Sequence, residues 1–151
     1  MNTVFSPQVI LMADDDDDDR LLARDALTES KVQGSLRFVE NGEELMDYLC
    51  HRGKYQESVN APRPGLILLD LNMPLKDGRE ALKEIKTDPE LKRIPVVVLT
   101  TSKADTDVGD IYELGANSFI SKPFKFDAFV NVMRAIGQYW LHTVELPVPR
   151  L

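Results

Sequence analysis

The chain has 151 residues, 43% of them apolar and 28% charged, which is the composition of one folded domain of ordinary size. Its 18 Lys and Arg face 25 Asp and Glu, and the resulting formal charge of -7 argues against holding a nucleic acid by broad phosphate neutralisation. The longest apolar runs, Gly65 to Leu69 and Pro95 to Leu99, are too short to span a bilayer, no basic-then-apolar leader opens the chain, and the single Cys50 excludes an internal disulfide or a multi-cysteine metal site. The expected compartment is the cytoplasm.

In chain order, Gln8 to Ala13 reads as a buried strand that ends abruptly in acid at Asp14. Leu21, Leu22, Ala26 and Leu27 predict a helix from about Asp18 to Ser30, with the aspartates before it favouring its positive end. Leu36 to Val39 is a second strand. Asn41-Gly42 then turns into a helix carrying Leu45, Met46 and Leu49, where Cys50 is expected to pack inertly. Gly65 to Asp70 is apolar at every position before the terminal acid, as a parallel strand buried on both faces should be. Gly78 to Thr87 follows as a helix with Ala81, Leu82 and Ile85 inward. Pro95 to Leu99 is the fourth strand, Thr106 to Leu114 a helix ended by Gly115, and Ser118 to Ser121 a short fifth strand. The last helix runs from about Lys125 to Leu141, with Phe126, Phe129, Val130, Met133, Gly137 and Trp140 on one stripe. Strict alternation predicts an α/β domain: a doubly wound five-stranded parallel sheet with helices on both faces. Its ligand belongs outside the carboxyl ends of the strands, where the strand order switches.

Those ends carry Asp14-Asp15, Asp70, Thr100-Thr101 and Ser121-Lys122-Pro123. Three carboxylates brought together repel one another and call for a hard divalent cation with oxygen ligands, Mg2+ above all. A lysine, a hydroxyl and a metal around one carboxylate make a site for a phosphoryl group, and that carboxylate can itself be the nucleophile. The six-residue run Asp14 to Asp19 divides: the first two acids follow the strand directly, while Asp16 to Asp19 read as helix cap and solvated charge. A slip of one residue would move the metal pair to Asp15 and Asp16. The run is not an EF-hand loop, whose sixth position needs Gly where Asp19 stands.

Val9-Ile-Leu-Met-Ala-Asp-Asp15, Leu66-Ile-Leu-Leu-Asp-Leu-Asn-Met-Pro74 with Gly78, Val96-Val-Val-Leu-Thr100 and Gly115-Ala-Asn-Ser-Phe-Ile-Ser-Lys-Pro-Phe124 together resemble the receiver domain of bacterial response regulators. The resemblance covers residues 8–141, leaves 142–151 as a C-terminal tail and implies no output domain. It implies a flavodoxin-like receiver fold with strand order 2-1-3-4-5. Asp70 would be the phosphoacceptor, Asp14 and Asp15 the acids that bind Mg2+ together with the Asn72 backbone carbonyl, and Thr100 and Lys122 the hydroxyl and ammonium on the phosphoryl oxygens. Phe119 would be the switch aromatic, moving after Thr100 is drawn inward on phosphorylation. The Lys122–Pro123 bond would be cis, with Pro123 fixing that turn, and Asn72 and Ser102 would tune the lifetime of the phosphate.

Three further stretches look like the stand-alone regulators paired with phytochrome kinases: the Cys50-His-Arg-Gly-Lys-Tyr55 insertion, Asn72 to Glu80, and the ending Tyr139 to Pro147. The implied function is a two-component phosphorelay switch. It would take a phosphoryl group from a sensor histidine kinase, with a phytochrome as the kind of kinase the narrower resemblance suggests, and change its binding to a downstream protein. That is signalling, with only self-phosphotransfer and slow autodephosphorylation as chemistry. Two rival readings lack a residue they need or keep one they should have lost. A haloacid-dehalogenase-like phosphatase needs a second acid two residues after its nucleophile, where Asn72 stands; a non-phosphorylated scaffold should have lost one of Asp15, Asp70, Thr100 or Lys122. The apolar bulk of Phe126, Phe129, Val130, Met133, Tyr139 and Trp140 also predicts a homodimer on the last helix and tail, against a tail that folds back on its own domain.

Overall fold

Alternation along a buried strand sends successive side chains to opposite faces of a sheet, and it accounts for the unbroken apolar runs. The computed structural model describes residues 8–101 and 105–147. Strands β1 (Val9–Ala13), β2 (Ser35–Val39), β3 (Leu66–Leu69), β4 (Val96–Thr100) and β5 (Ser118–Ser121) form one parallel sheet in the order β2-β1-β3-β4-β5, as expected. Leu11, Ala13, Ile67, Leu69, Val96 and Val98 face one core; Ile10, Met12, Leu66, Leu68, Val97 and Leu99 face the other. Helices α2 (Gly42–Cys50) and α3 (Gly78–Thr87), with Ile111 of α4 (Asp105–Glu113), close the first core. Helices α1 (Asp17–Ser30) and α5 (Phe126–Gly137) close the second, around the fully buried Phe129.

The loop from β3 to α3 is fixed by two glycines. A Cβ on Gly78 would lie 2.3 Å from the Asp70 carbonyl oxygen, and one on Gly42 would lie 2.1 Å from the Lys76 carbonyl oxygen. The bare backbones instead bond directly: Gly78 N–H donates to the Leu71 carbonyl at 3.0 Å and Gly42 N–H to that of Lys76 at 2.9 Å. Between them Leu75 takes a left-handed conformation (φ 65°) and is 76% exposed.

Several local expectations differ. The last α-helix stops at Gly137 and continues as a π-helical turn, Gln138–Thr143. Gly137 sits where a Cβ would be 2.4 Å from both methyls of Val32, so the chain runs close to the end of α1 there. The wider turn lets the consecutive Trp140 and Leu141 both pack on the second core. Cys50 is exposed, because α2 buries Leu45, Met46, Tyr48 and Leu49 and its last residue falls off that face. Beyond it, short 3-10 turns at Gly53–Tyr55 and Ser58–Asn60 fold the insertion back, with the Tyr55 hydroxyl donating to Glu44 at 2.7 Å. The tail also returns: Leu141 and Leu146 reach to 3.2 and 2.9 Å of the Cβ positions of Gly34 and Gly65, at the ends of the sheet away from Asp14. Ser102 and residues 148–151 lie outside the described residues.

Candidate functional site

Parallel pairing brings the strand ends level. Ala13 faces Leu69 across the β1–β3 ladder, and the Asp70 N–H donates to the Ala13 carbonyl at 3.0 Å. Asp14 and Asp70 therefore leave neighbouring strands side by side, at the point where strand order reverses. On the other flank Thr100 pairs with Ser121, and the Lys122 N–H donates to the Thr100 carbonyl at 2.8 Å. Groups up to 108 residues apart in sequence thus meet in one crevice.

Asp70 is its centre, a residue 7% exposed. Oδ1 accepts from the Thr100 hydroxyl at 2.8 Å and from the Asn72 amide at 3.1 Å, and Oδ2 accepts from Lys122 Nζ at 2.9 Å. Asp14 is fully buried; its Oδ1 accepts from the Asp16 amide at 3.0 Å and its Oδ2 from Lys122 Nζ at 2.7 Å. Burial pushes the Asp14 carboxyl above the usual range, against the Lys122 hydrogen bond and the Asp16 amide that favour its charged form. For Lys122 burial works the other way, but hydrogen bonds to Asp14, Asp19 and Asp70 outweigh it and hold the ammonium well above the ordinary lysine value. The site keeps a fixed positive charge among its acids.

Exposed Asp15 stands beside the buried pair, and single oxygens of Asp14, Asp15 and Asp70 all lie within 4.8 Å of one another. Three hard carboxylate donors at that spacing, open to solvent on the Asp15 side, fit a small divalent cation that keeps several waters. Asp16 is not among them. Its carboxylate caps α1, accepting from the Asp18 and Asp19 amides at 2.8 and 3.2 Å. The geometry therefore gathers Asp14 and Asp15, not the pair one residue on.

The structure departs from expectation at Pro123, Thr100 and Asp19. The Lys122–Pro123 peptide is trans, since no cis bond occurs among the described residues; the ordinary X–Pro preference prevails because the lysine already reaches its carboxylates from a trans bond. Thr100 needs no inward movement to meet Asp70, being hydrogen-bonded to it already. Phe119 is half-buried against the first core, with its N–H donating to the Tyr112 hydroxyl at 3.2 Å. Asp19 is more than helix charge: its Oδ2 lies 2.8 Å from Lys122 Nζ. A sequence signal for Asp19 existed, because it continues the buried stripe Ala23, Ala26, Ser30 of α1 one turn toward the strand ends. Arg20 was also missed. Its Nη1 donates to the Asp14 carbonyl at 2.7 Å, and it pairs with Asp17 and Glu40, so it pins the backbone between the two acids.

A doubly wound sheet of this order, with two acids, a buried aspartate, a hydroxyl and a lysine at its switch point, is the architecture of a receiver. The sequence model of the response regulator receiver domain matches residues 10–134, and the chain belongs to that family. Within it the chain is 45% identical over 141 residues to response regulator Rcp1 of Synechocystis sp., covering 93% of this chain and 94% of that one. The crystal structure of the Mn2+-bound form of Rcp1 superimposes with a TM-score of 0.85 at 44% identity, over 94% of this chain and all of that one. The phosphorylated cyanobacterial phytochrome response regulator RcpA superimposes with a TM-score of 0.86 at 43% identity, over 95% of this chain and all of that one. The chain is a response regulator receiver of the Rcp1/RcpA kind, and neither the phosphatase nor the scaffold reading gains support.

Proposed function

We propose that Asp70 accepts a phosphoryl group from the phosphohistidine of a sensor kinase. The observation that carries this reading is the buried Asp70 carboxylate, held within 3 Å by both the Thr100 hydroxyl and the Lys122 ammonium. A carboxylate oxygen of Asp70 attacks phosphorus, the P–N bond breaks, and the departing imidazole keeps the electron pair and takes up a proton. Thr100 and Lys122 are placed to donate to the transferring oxygens, whose charge they offset in a site from which most water is excluded. Mg2+, held by Asp14, Asp15, Asp70 and the Asn72 carbonyl, would neutralise charge on the same oxygens. The chain works as a signalling switch, and its chemistry is limited to its own phosphorylation and slow hydrolysis.

The partner reading follows from the relatives. RcpA is described as a phytochrome response regulator, which supports a phytochrome-type histidine kinase as phosphoryl donor to this chain. No helix among the described residues is long and apolar enough to cross a membrane, in keeping with a receiver that meets its kinase in the cytoplasm. Phe119 with the neighbouring face of α4, β5 and α5 would present the phosphorylated state to a downstream protein. Exposed Phe126 and Tyr139 leave part of α5 and its extension open for a homodimer, while Leu141 and Leu146 are already engaged within the domain. Exposure to labelled acetyl phosphate with Mg2+ tests the central claim: the wild type should acquire one acid-stable, base-labile phosphate and Asp70→Asn none. Equal labelling of both would remove Asp70 as the acceptor.

A further inference from the structure

Lys122 offers three N–H donors, and three carboxylates take them: Asp14 Oδ2 at 2.7 Å, Asp19 Oδ2 at 2.8 Å and Asp70 Oδ2 at 2.9 Å. The lysine side chain is 5% exposed, so none of these bonds is replaced by bulk water without moving it. The three acceptors are not equivalent. Asp14 and Asp70 belong to the cluster whose oxygens can hold a metal, and Asp70 carries the nucleophile; Asp19 lies outside that cluster and is 29% exposed. Any cation on Asp14, or phosphoryl group on Asp70, engages the same carboxylates that bind the ammonium. The oxygens of Asp19 face no such competition. They come from the first turn of α1, an element fixed to the site by the Asp16 cap and by Arg20 on the Asp14 carbonyl.

We propose that Asp19 is a positioning residue for Lys122, a carboxylate outside the metal cluster that keeps hold of the ammonium while the oxygens of Asp14 and Asp70 are engaged by cation and phosphoryl group. The proposal rests on the reading of Asp70 as phosphoacceptor. Asp19 touches neither phosphorus nor metal and acts only through the lysine. Without it the ammonium has two anchors, both altered as the reaction proceeds, and the long side chain recovers rotamer freedom that must be lost again to meet the phosphoryl group. Asp18, exposed in the same helical turn and without a bond to Lys122, shares the favourable placement near the helix N-terminus but not this function.

The test uses the full chain with its lysines labelled with 15N, as wild type, Asp19→Ala, Asp19→Asn, Asp18→Ala and Asp70→Asn. The Lys122 ammonium is followed by proton–nitrogen correlation without metal, with Mg2+, and with Mg2+ plus beryllium fluoride as phosphoryl analogue; labelling by acetyl phosphate is timed in parallel. In wild type the slowly exchanging ammonium signal should persist in all three states. Asp19→Ala should lose it and label on the order of tenfold more slowly, the scale of one charge-assisted hydrogen bond. Asp19→Asn, which keeps an acceptor oxygen without the charge, should recover part of both, and Asp18→Ala should match wild type. An unchanged ammonium signal and unchanged labelling in Asp19→Ala would overturn the proposal. So would faster labelling, which would make Asp19 a competitor for the lysine, or loss of the wild-type signal on adding the analogue. If wild type and Asp70→Asn label alike, the phosphoacceptor reading falls, while the ammonium signals still decide whether Asp19 holds Lys122.

Discussion

Replacing Gly78 with alanine tests whether the approach of α3 to the Asp70 backbone sets the site. The added Cβ would meet the Asp70 carbonyl oxygen at 2.3 Å, the Leu71 Cα at 2.7 Å and the Asp70 carbonyl carbon at 3.0 Å. All three are backbone atoms, so no side chain can swing aside; the helix start or the Asp70 peptide must move by roughly 1 Å to restore ordinary contact. Overpacking of this kind costs about 1–3 kcal/mol, and straining the Gly78 N–H bond to Leu71 adds up to about 1 kcal/mol. Alanine returns about 0.5–1 kcal/mol through its better helix propensity, leaving a net loss of about 2 kcal/mol. For a domain of this size that lowers Tm by about 4–8 °C. Gly109 provides the control: it lies inside α4 with nothing within 4 Å of its Cβ position, so Gly109→Ala should raise Tm by about 2–4 °C. Thermal unfolding by circular dichroism reads both, and Mg2+ titration should show weaker binding for Gly78→Ala alone. Equal melting of Gly78→Ala and wild type would refute the close approach.

Removing an acid from the metal cluster should matter by position: Asp15→Ala should weaken Mg2+ binding on the order of tenfold or more by calorimetry while Asp18→Ala barely changes it, and equal losses would mean the aspartate run acts only as diffuse charge. Burial, and then the hydrogen bond to Glu44, push the Tyr55 phenol up to about 12, so its contribution to stability is intact below about pH 10 and is lost as pH rises through about 12. Alkaline titration of phenolate absorbance should accordingly show a step near pH 12 that Tyr55→Phe abolishes; an unaltered profile would contradict the assignment. Sedimentation of the full chain and of one ending at Leu141 tests self-association, and monomers in both cases at tens of micromolar, with and without beryllium fluoride, would end the homodimer reading.

How much of this was legible depended on whether a residue's meaning was local. Leu66 to Leu69 and Val96 to Leu99 announce doubly buried strands because every position is apolar. Asp14, Asp70 and Thr100 stand one step beyond or at the end of buried strands and Lys122 one step beyond the half-buried β5, so the sheet order brings them together. Asp19 was hidden by its neighbours: six identical residues obscure the fact that only one of the last four lies on the buried stripe. The π-helical turn and the inward Thr100 depend on side chains packed from distant elements, such as Val32 against Gly137, and no short window of sequence contains both partners.

The β3–α3 loop separates two kinds of constraint. At its ends, backbone meets backbone at Gly78 and Gly42, and even one methyl group is too much. At its tip, Leu75 stands exposed to water from a φ of 65°. The loop is therefore rigid as a support and free as a surface: a substitution at Leu75 can alter what an approaching protein touches a few residues from Asp70 without altering how Asp70 is held. Recognition can diverge there between chains whose phosphate chemistry stays the same.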